Sequence, residues 1–312
     1  MTHHEHGLRD DSTKNEEITP HIRLGCASAS MERRYQHMKC DLGDIAIFYE
    51  TYGSSRPIVM LPGRPSDHRV MERFMEPLFT QRDGWLRLYP DLPGTGRTPG
   101  SDRLATHDQM LGAVLAFIDT VIPGQRFVLA GLSYGGYLAR GVLYHRAASI
   151  DGVLLCAPQV KAEPAQAHLP PRTTLVEDPT LVAELGPGAD LIVVQSPTVV
   201  EAVRDVLAEV QIANHTFQAR LEAAGPFSFE VDRLPAPFGG PTLILTARQD
   251  HLCGYQDAWD LLDNYPRATF AVLDRAGHFV NIEQDVLCQA LMREWLDRVE
   301  EWATDLDHPR VS

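Results

Sequence analysis

A serine between two glycines is the residue of this sequence best placed to act as a nucleophile. Ser133 lies in the segment Gly131-Leu132-Ser133-Tyr134-Gly135, directly after the apolar run 127–130 and before apolar residues at helical spacing. Glycines two positions before and two after a serine let a strand turn sharply into a helix, so that the hydroxyl projects from a strained backbone. In a chain with 23 glycines the five-residue pattern alone is weak. The strand, turn and helix around it predict a nucleophile elbow supported by Gly131 and Gly135.

A serine hydroxyl is nearly inert at neutral pH, so it needs a histidine base and an acid that orients the base. Asp250 lies just beyond the apolar, β-rich segment 242–246, at the end where open α/β sheets place functional groups. Among 13 histidines, His278 alone follows the last predicted strand as a Gly-His pair. The chain order Ser133, Asp250, His278 is the order expected for this kind of elbow. An alternative for Asp250 is a loop aspartate that caps a helix over 256–264.

The tetrahedral oxyanion of acyl transfer needs two backbone N–H donors. One is expected from Tyr134, immediately after the nucleophile. The other is expected from the loop that follows the predicted strand 57–61, where Gly63 provides a small residue and Arg64 the backbone donor. An ordinary Pro/Gly turn is the alternative interpretation of this loop.

Strands and helices that alternate along the chain would position these groups. A turn at 41–44 predicts an antiparallel hairpin at the sheet edge, and the later alternation requires crossovers and a parallel sheet. Helices are predicted near 67–79, over 107–121, after Ser133 and over 286–302. The predicted strands are 35–40, 45–52, 57–61, 85–89, 126–130, 150–157, 242–246 and 268–273.

The periodicity changes between 158 and 237. This region is rich in proline and then becomes helical, and it is too long for a plain loop. We interpret it as a helical lid inserted above the cleft, with a bundle that does not touch substrate as the alternative. The α/β core is then 31–157 and 238–303, preceded by a polar leader over 1–30 that is interpreted as disordered, and followed by a tail over 304–312. The predicted apolar face of the lid carries Val199, Val203, Val206, Leu207 and Val210.

These motifs together resemble the α/β-hydrolase superfamily. The matching segments are Leu61-Pro62-Gly63-Arg64-Pro65, 89–96, the serine elbow, 248–250 and Gly277-His278. The resemblance implies an α/β-hydrolase fold, with an eight-stranded, mostly parallel sheet, helices on both faces and a lid after the sixth strand. It also implies a Ser133, His278, Asp250 triad and no cofactor. The related haloalkane dehalogenases and epoxide hydrolases carry an aspartate at the elbow, so Ser133 argues against both chemistries.

The composition and the net charge limit the kinds of molecule that this protein is expected to bind. The 312 residues include 44% hydrophobic and 22% charged side chains, and the formal net charge is −14. Such a charge disfavours nucleic acids and anionic membrane surfaces, which leaves a small-molecule substrate as the expected partner and an oligomer open. The chain shows no membrane-length apolar stretch and no signal-peptide pattern, so a cytoplasmic location is the default expectation.

The cysteines are five in number, and their spacing indicates neither a disulfide scaffold nor a zinc site. No metal is therefore expected. Cys253, three residues after Asp250, could lie close to the pocket, and its role stays open. Asp67 and Asp91 are interpreted as a helix cap and a turn residue, with a place at the rim of the cleft as the alternative.

The function expected from these features is hydrolysis of a small or medium acyl ester, with thioesters and amides as alternative substrates. A second hypothesis is a hydrolase or lyase that breaks a carbon-carbon bond in a diketone-like substrate. Ring-cleavage products of that class would need a basic pocket for their carboxylates. A third is a non-catalytic ligand-binding homologue that has kept the elbow. Fold alone cannot choose among them, because function depends on the site.

Overall fold

A computed structural model describes residues 36–210 and 213–307 of the chain. The predicted leader over 1–30, Cys26 and the last part of the predicted tail, 308–312, lie outside these ranges, and so does the side chain of Val210. In the described ranges, no helix combines the length and the apolar composition that a bilayer crossing requires.

Eight strands form one sheet, and all of them are predicted from the sequence with ends that differ by at most two residues. Their lengths and apolar character follow the β-branched and aromatic content of each segment. The strands are β1 (Gln36–Asp41), β2 (Ala46–Tyr52), β3 (Arg56–Leu61), β4 (Trp85–Pro90), β5 (Phe127–Leu132), β6 (Ile150–Cys156), β7 (Thr242–Ala247) and β8 (Ala268–Leu273).

The strand order in the sheet is β1-β2-β4-β3-β5-β6-β7-β8. β1 pairs with β2 and β2 with β4 in antiparallel fashion, and the remaining pairs are parallel. The predicted edge hairpin and the eight-stranded, mostly parallel sheet are therefore confirmed. Because β5, β6, β7 and β8 run in the same direction, the loops that follow them emerge at one edge. Ser133, Asp250 and His278 all lie in loops or turns at that edge.

Helices cover both faces of the sheet, as successive residues of β5 show. Leu129 packs in a cluster with residues of the second and third helices, whereas Val128 and Ala130 pack in another cluster with the first and last helices. This alternation is expected because neighbouring side chains of a strand point to opposite faces. The helices of the described ranges are α1 (His68–Met75), α2 (His107–Val121), α3 (Tyr134–Arg146), α4 (Pro179–Val182), α5 (Pro197–Val210), α6 (His215–Glu222), α7 (Gln256–Trp259), α8 (Val280–Glu283) and α9 (Asp285–Asp307).

Two helix predictions need correction. The helix expected over 256–264 is wrong, since α7 ends at Trp259 and a separate 3-10 turn covers Leu262–Asn264. Tyr255 precedes α7 and provides no side-chain cap, so the segment lacks a strong start signal. The C-terminal helix is longer than expected, because α9 continues to Asp307 and so into the predicted tail.

Residues 158–237 contain α4, α5 and α6 between irregular segments. On α5, the side chains of Val199, Val203 and Val206 are buried and that of Leu207 is half-buried, which is the face the spacing predicts. Val199 and Val203 belong to a small apolar cluster of this region, while Val206 packs in the cluster that contains residues of α1 and α9. The segment thus has its own small core and also contributes buried side chains to both main clusters, among them Val206, Phe217 and Leu221.

Arg140 of α3 forms hydrogen bonds with residues near both ends of this segment. Its side chain is 1% exposed, and its Nε and Nη2 each lie 2.7 Å from a carboxylate oxygen of Asp232. Nη1 donates to the carbonyl oxygen of Gln159 at 2.8 Å, and Nη2 donates to that of Val160 at 3.2 Å. A bidentate guanidinium pair with two further acceptors satisfies most donors of this buried cation.

Candidate active site

Ser133 occupies a sharp turn between β5 and α3. Its φ of 52° and ψ of −116° lie in a region that residues with side chains rarely adopt. A Cβ at Gly131 would overlap the carbonyl of Gly135, and a Cβ at Gly135 would overlap the carbonyl of Leu61. Both glycines are therefore required by close backbone approach, as the elbow pattern predicts.

The structure brings the predicted histidine and aspartate to this serine. His278 Nε2 lies 3.0 Å from Ser133 Oγ, and His278 Nδ1 lies 3.0 Å from Asp250 Oδ2. The other carboxylate oxygen of Asp250 accepts from the backbone N–H groups of Leu252 at 2.9 Å and Cys253 at 3.1 Å. Asp250 thus orients the imidazole and does not cap α7, so the capping alternative is wrong.

Asp250 and His278 shift each other's pKa toward the ionised forms. Burial disfavours the imidazolium, but the Asp250 carboxylate outweighs burial, and the pKa of His278 is raised well above its ordinary 6.5. Burial also opposes ionisation of Asp250, yet the histidine and the two backbone donors lower the pKa of that carboxyl. Asp250 therefore stays ionised at neutral pH and stabilises a positive charge on His278.

Two backbone N–H groups close to Ser133 in the chain or in space have no acceptor among the described residues. Tyr134 begins α3, where first-turn N–H groups have no partner within the helix, and Arg64 lies in the loop after β3. Neither N–H has an acceptor among the residues that the structure describes. A Cβ at Gly63 would come within 3.1 Å of Ser133 Cβ, so this loop passes directly over the elbow. Tyr134 is thus adjacent to the serine in sequence, and the loop that contains Arg64 approaches the serine through Gly63.

A cavity of about 390 Å³ opens over Ser133 and His278. The segment 158–237 contributes Val160, Leu191, Val206 and other residues to its wall. This segment therefore forms part of the cavity wall. Most of the lining is apolar, and its polar members include Arg64, Ser66, His107, Gln159, Glu222 and Asn281.

Cys253 lies beside the serine, as its position after Asp250 suggests. The sulfur is 4.0 Å from Ser133 Oγ, and the residue lines the cavity. Burial raises the pKa of its thiol, so the thiol is protonated at neutral pH. Cys40, Cys156 and Cys288 are also buried and unpaired.

His107 is a cavity residue that sequence reasoning missed. It is the first residue of α2, and its Nδ1 lies 2.9 Å from the hydroxyl of Tyr134. Burial and then the charge of Arg64 lower the pKa of His107 to about 4, so the ring is neutral at neutral pH. Nothing local in the sequence indicates this contact, because His107 and Tyr134 belong to different helices.

Asp67 and Asp91 have the local roles that were preferred for them. Asp67 caps α1 by accepting from Arg69 N–H at 3.0 Å. Asp91 is fully buried, accepts from the N–H of Arg97 at 2.7 Å within its turn, and also binds the ring and N–H of His68. Neither aspartate lines the cavity.

Three groups of side chains in the described ranges have potential metal-ligand atoms within 4.8 Å of one another. In the first, the carboxylate already binds the imidazole, and the imidazole also binds the serine. The other two share His68, which already lies 2.6 Å from Asp91. The imidazole of each group therefore already has a carboxylate partner within the protein. The groups are Asp250 with Cys253 and His278, Glu50 with His68 and Glu72, and Asp67 with His68 and Asp91.

Comparisons with known proteins agree with this architecture. The AB hydrolase superfamily protein YisY of Bacillus subtilis (strain 168) is 31% identical over 119 residues, which cover 38% of this chain and 43% of that relative. The chain thus matches less than half the length of this curated relative. An alpha/beta superfamily hydrolase from Oenococcus oeni PSU-1 superposes with a TM-score of 0.76 at 26% identity, over 81% of this chain and 96% of that one.

A thermophilic esterase from Thermogutta terrifontis, solved with malate bound, has a TM-score of 0.63 at 22% identity, over 85% of this chain and 99% of that one. This likeness shows the fold. The profile of the alpha/beta hydrolase family matches residues 58–290, from β3 into α9, and so includes the elbow, the aspartate and the histidine. This chain therefore belongs to the alpha/beta hydrolase family.

Proposed function

We propose that this chain is a serine hydrolase that cleaves a small or medium acyl ester through an acyl-enzyme on Ser133. The observation that supports it most is the unbroken hydrogen-bonded path from Ser133 Oγ to His278 and on to Asp250, with both distances at 3.0 Å. A hydroxyl in this setting can lose its proton as it attacks, which an isolated serine cannot.

The reaction begins when His278 Nε2 takes the proton of Ser133 Oγ while that oxygen bonds to the ester carbonyl carbon. The imidazolium that forms is stabilised by ionised Asp250, whose hydrogen bond to Nδ1 also selects the tautomer. His278 then returns the proton to the alcohol oxygen as the carbon-oxygen bond breaks. In the second half, His278 takes a proton from water as the water oxygen bonds to the acyl carbon. It then returns this proton to Ser133 Oγ as the bond between Oγ and the acyl carbon breaks, which releases the acid and the free serine.

The negative charge of the tetrahedral intermediate develops on the former carbonyl oxygen. The N–H groups of Arg64 and Tyr134 are the proposed donors to it, since both are near the elbow and neither has an acceptor among the described residues. Loss of one such donor costs on the order of 3 kcal/mol in comparable sites. Tyr134 contributes through the first turn of α3, where the helix dipole adds to the stabilisation.

The cavity favours a compact, mainly apolar acyl or alcohol group. Its volume of about 390 Å³ is at the lower end of small-molecule sites. Val206 and Leu207 from α5 form part of the wall, which supports the interpretation of 158–237 as a lid. A lid excludes water and so strengthens the electrostatic interactions in the site.

Hydrolysis of p-nitrophenyl esters of increasing acyl length tests the proposal. We expect activity that is highest for short and medium chains, absent in Ser133→Ala, and unchanged in Ser54→Ala, a matched control at an exposed turn. Full activity in Ser133→Ala would overturn the proposal. Turnover of a dienol diketone well above that of every ester would instead identify a carbon-carbon hydrolase, and binding without turnover of either would identify a ligand-binding homologue.

A further inference from the structure

The unused nitrogen of His107 indicates a polar feature of the substrate. His107 lies in the cavity wall with 3% of its surface exposed. Its Nδ1 is paired with the Tyr134 hydroxyl, and Nε2 has no hydrogen bond among the described residues. Nε2 is therefore the ring nitrogen that a ligand in this cavity could bind, because His107 lines the cavity and Nδ1 is already paired.

Arg64 brings a positive charge to the same part of the cavity. Its guanidinium carbon lies 5.4 Å from the centre of the Tyr134 ring, and the His107 ring is also 5.4 Å from that ring. Nη1 donates to the carbonyl oxygen of Gln218 at 3.1 Å. Arg64 forms no ion pair with an acidic side chain of the described ranges, so its charge is not neutralised there. A guanidinium has five N–H donors, and within those ranges most of them remain available to a ligand.

We propose that Arg64 and His107 form a subsite for a carboxylate of the substrate, so that the preferred substrate is an ester with a second, ionised carboxyl group. The subsite rests on the proposed ester hydrolysis and adds its substrate class. Arg64 supplies the opposite charge and forked donors that carboxylates prefer. His107 supplies a neutral ring whose Nε2–H can donate to the second carboxylate oxygen.

The protonation state of His107 agrees with this role. Burial and the charge of Arg64 keep its pKa at about 4, so the two groups do not repel each other at neutral pH. When the Tyr134 hydroxyl donates to Nδ1, the single ring proton lies on Nε2, which is then available to donate to a ligand. Glu222 is the acidic residue of the lining, and it is exposed, so solvent screens its charge from this subsite.

Two methyl esters of the same shape test the subsite. Monomethyl succinate ends in a carboxylate, and methyl isocaproate ends in an isopropyl group of nearly the same size. We expect kcat/KM, followed by methanol release, to favour the succinate by about tenfold or more, the usual effect of hydrogen bonds to a charged group. The preference should appear mainly in KM, because the carboxylate contacts are made equally in the bound and transition states.

Matched variants separate the subsite from general packing. His107→Asn keeps an atom that can bind the Tyr134 hydroxyl and removes the group at Nε2, whereas His107→Gln restores a polar group near the Nε2 position. We expect His107→Asn to lower the succinate preference severalfold and His107→Gln to recover part of it. Arg64→Met should reduce the preference to near unity. A preference that is absent in the wild type, or unchanged in Arg64→Met and His107→Asn, would overturn the subsite.

A binding measurement distinguishes failure of the carboxylate subsite from failure of the proposed esterase activity. Calorimetric titration of Ser133→Ala with monomethyl succinate should give binding that His107→Asn weakens by about tenfold in the double variant. If methyl isocaproate is hydrolysed through Ser133 and no succinate binding is found, the subsite is wrong and the esterase stands. If neither ester reacts but succinate binds through His107, the subsite stands and the esterase is wrong.

Discussion

Asp250→Asn replaces a charge with a neutral group of the same shape, and the contacts of this side chain determine how the amide is oriented. The oxygen that accepts from Leu252 and Cys253 must remain an oxygen, because an amide N–H₂ there would face two donors. The amide nitrogen therefore takes the place of Oδ2, 3.0 Å from His278 Nδ1. Nδ1 must then accept, so the ring proton moves to Nε2, which can no longer take the proton of Ser133.

This wrong tautomer is expected to lower kcat by about 10⁴-fold, or about 5 kcal/mol in the activation free energy, as in comparable triads. The assay is steady-state hydrolysis of p-nitrophenyl butyrate, with circular dichroism to show that the variant is folded. Asp257→Asn is the matched control, since Asp257 pairs with His168 Nδ1 at 2.7 Å outside the serine site. We expect near wild-type kcat from it. A loss of less than about tenfold in folded Asp250→Asn would refute the role given to this carboxylate.

The same geometry leads to three other expected outcomes. His278 must be neutral to accept a proton and Asp250 raises its pKa, so kcat/KM should increase with pH through a midpoint above 6.5; a midpoint below 6.5 would contradict this cause. Gly135→Ala places a methyl group against the carbonyl at the end of β3, so urea denaturation should show a loss of about 2 kcal/mol or more of unfolding free energy. A variant as stable as the wild type would show that the turn can accommodate the methyl group. Arg140→Met removes a buried cation that binds Asp232 and two carbonyls at the ends of the lid segment, so the free energy of unfolding should fall by about 3 kcal/mol. An unchanged urea midpoint would mean that other contacts attach this segment to the core.

Much of this fold could be predicted because the residues that determine each element lie close together in the sequence. β5 is a run of six buried residues that ends at a glycine-flanked serine, and both the run and the glycines can be read without knowing any neighbour. Asp250 and His278 could be found because each follows a β-rich apolar segment, and parallel strands bring such positions to one edge. The chain order of the three residues then provides an independent check.

The features that could not be predicted depend on contacts between distant residues. Arg140 and Asp232 are 92 positions apart, and no pattern near either one indicates that they pair. His107 begins α2 like any polar N-terminal residue, and its place in the cavity depends on how α2 packs against α3. The end of α7 at Trp259 could not be predicted for a different reason. A helical pattern continues through 256–264, but the segment has no side-chain cap, and tertiary packing decides where the helix ends.

Activation of the Ser133 hydroxyl by His278 can be measured with a covalent probe. Wild-type protein is treated with a fluorophosphonate, digested, and the adduct is located by peptide mass spectrometry. We expect a single modified residue, Ser133, in the wild type, and a much slower reaction of the same residue in His278→Ala. Labelling at another residue, or equal labelling rates in folded wild type and His278→Ala, would show that His278 does not activate this hydroxyl.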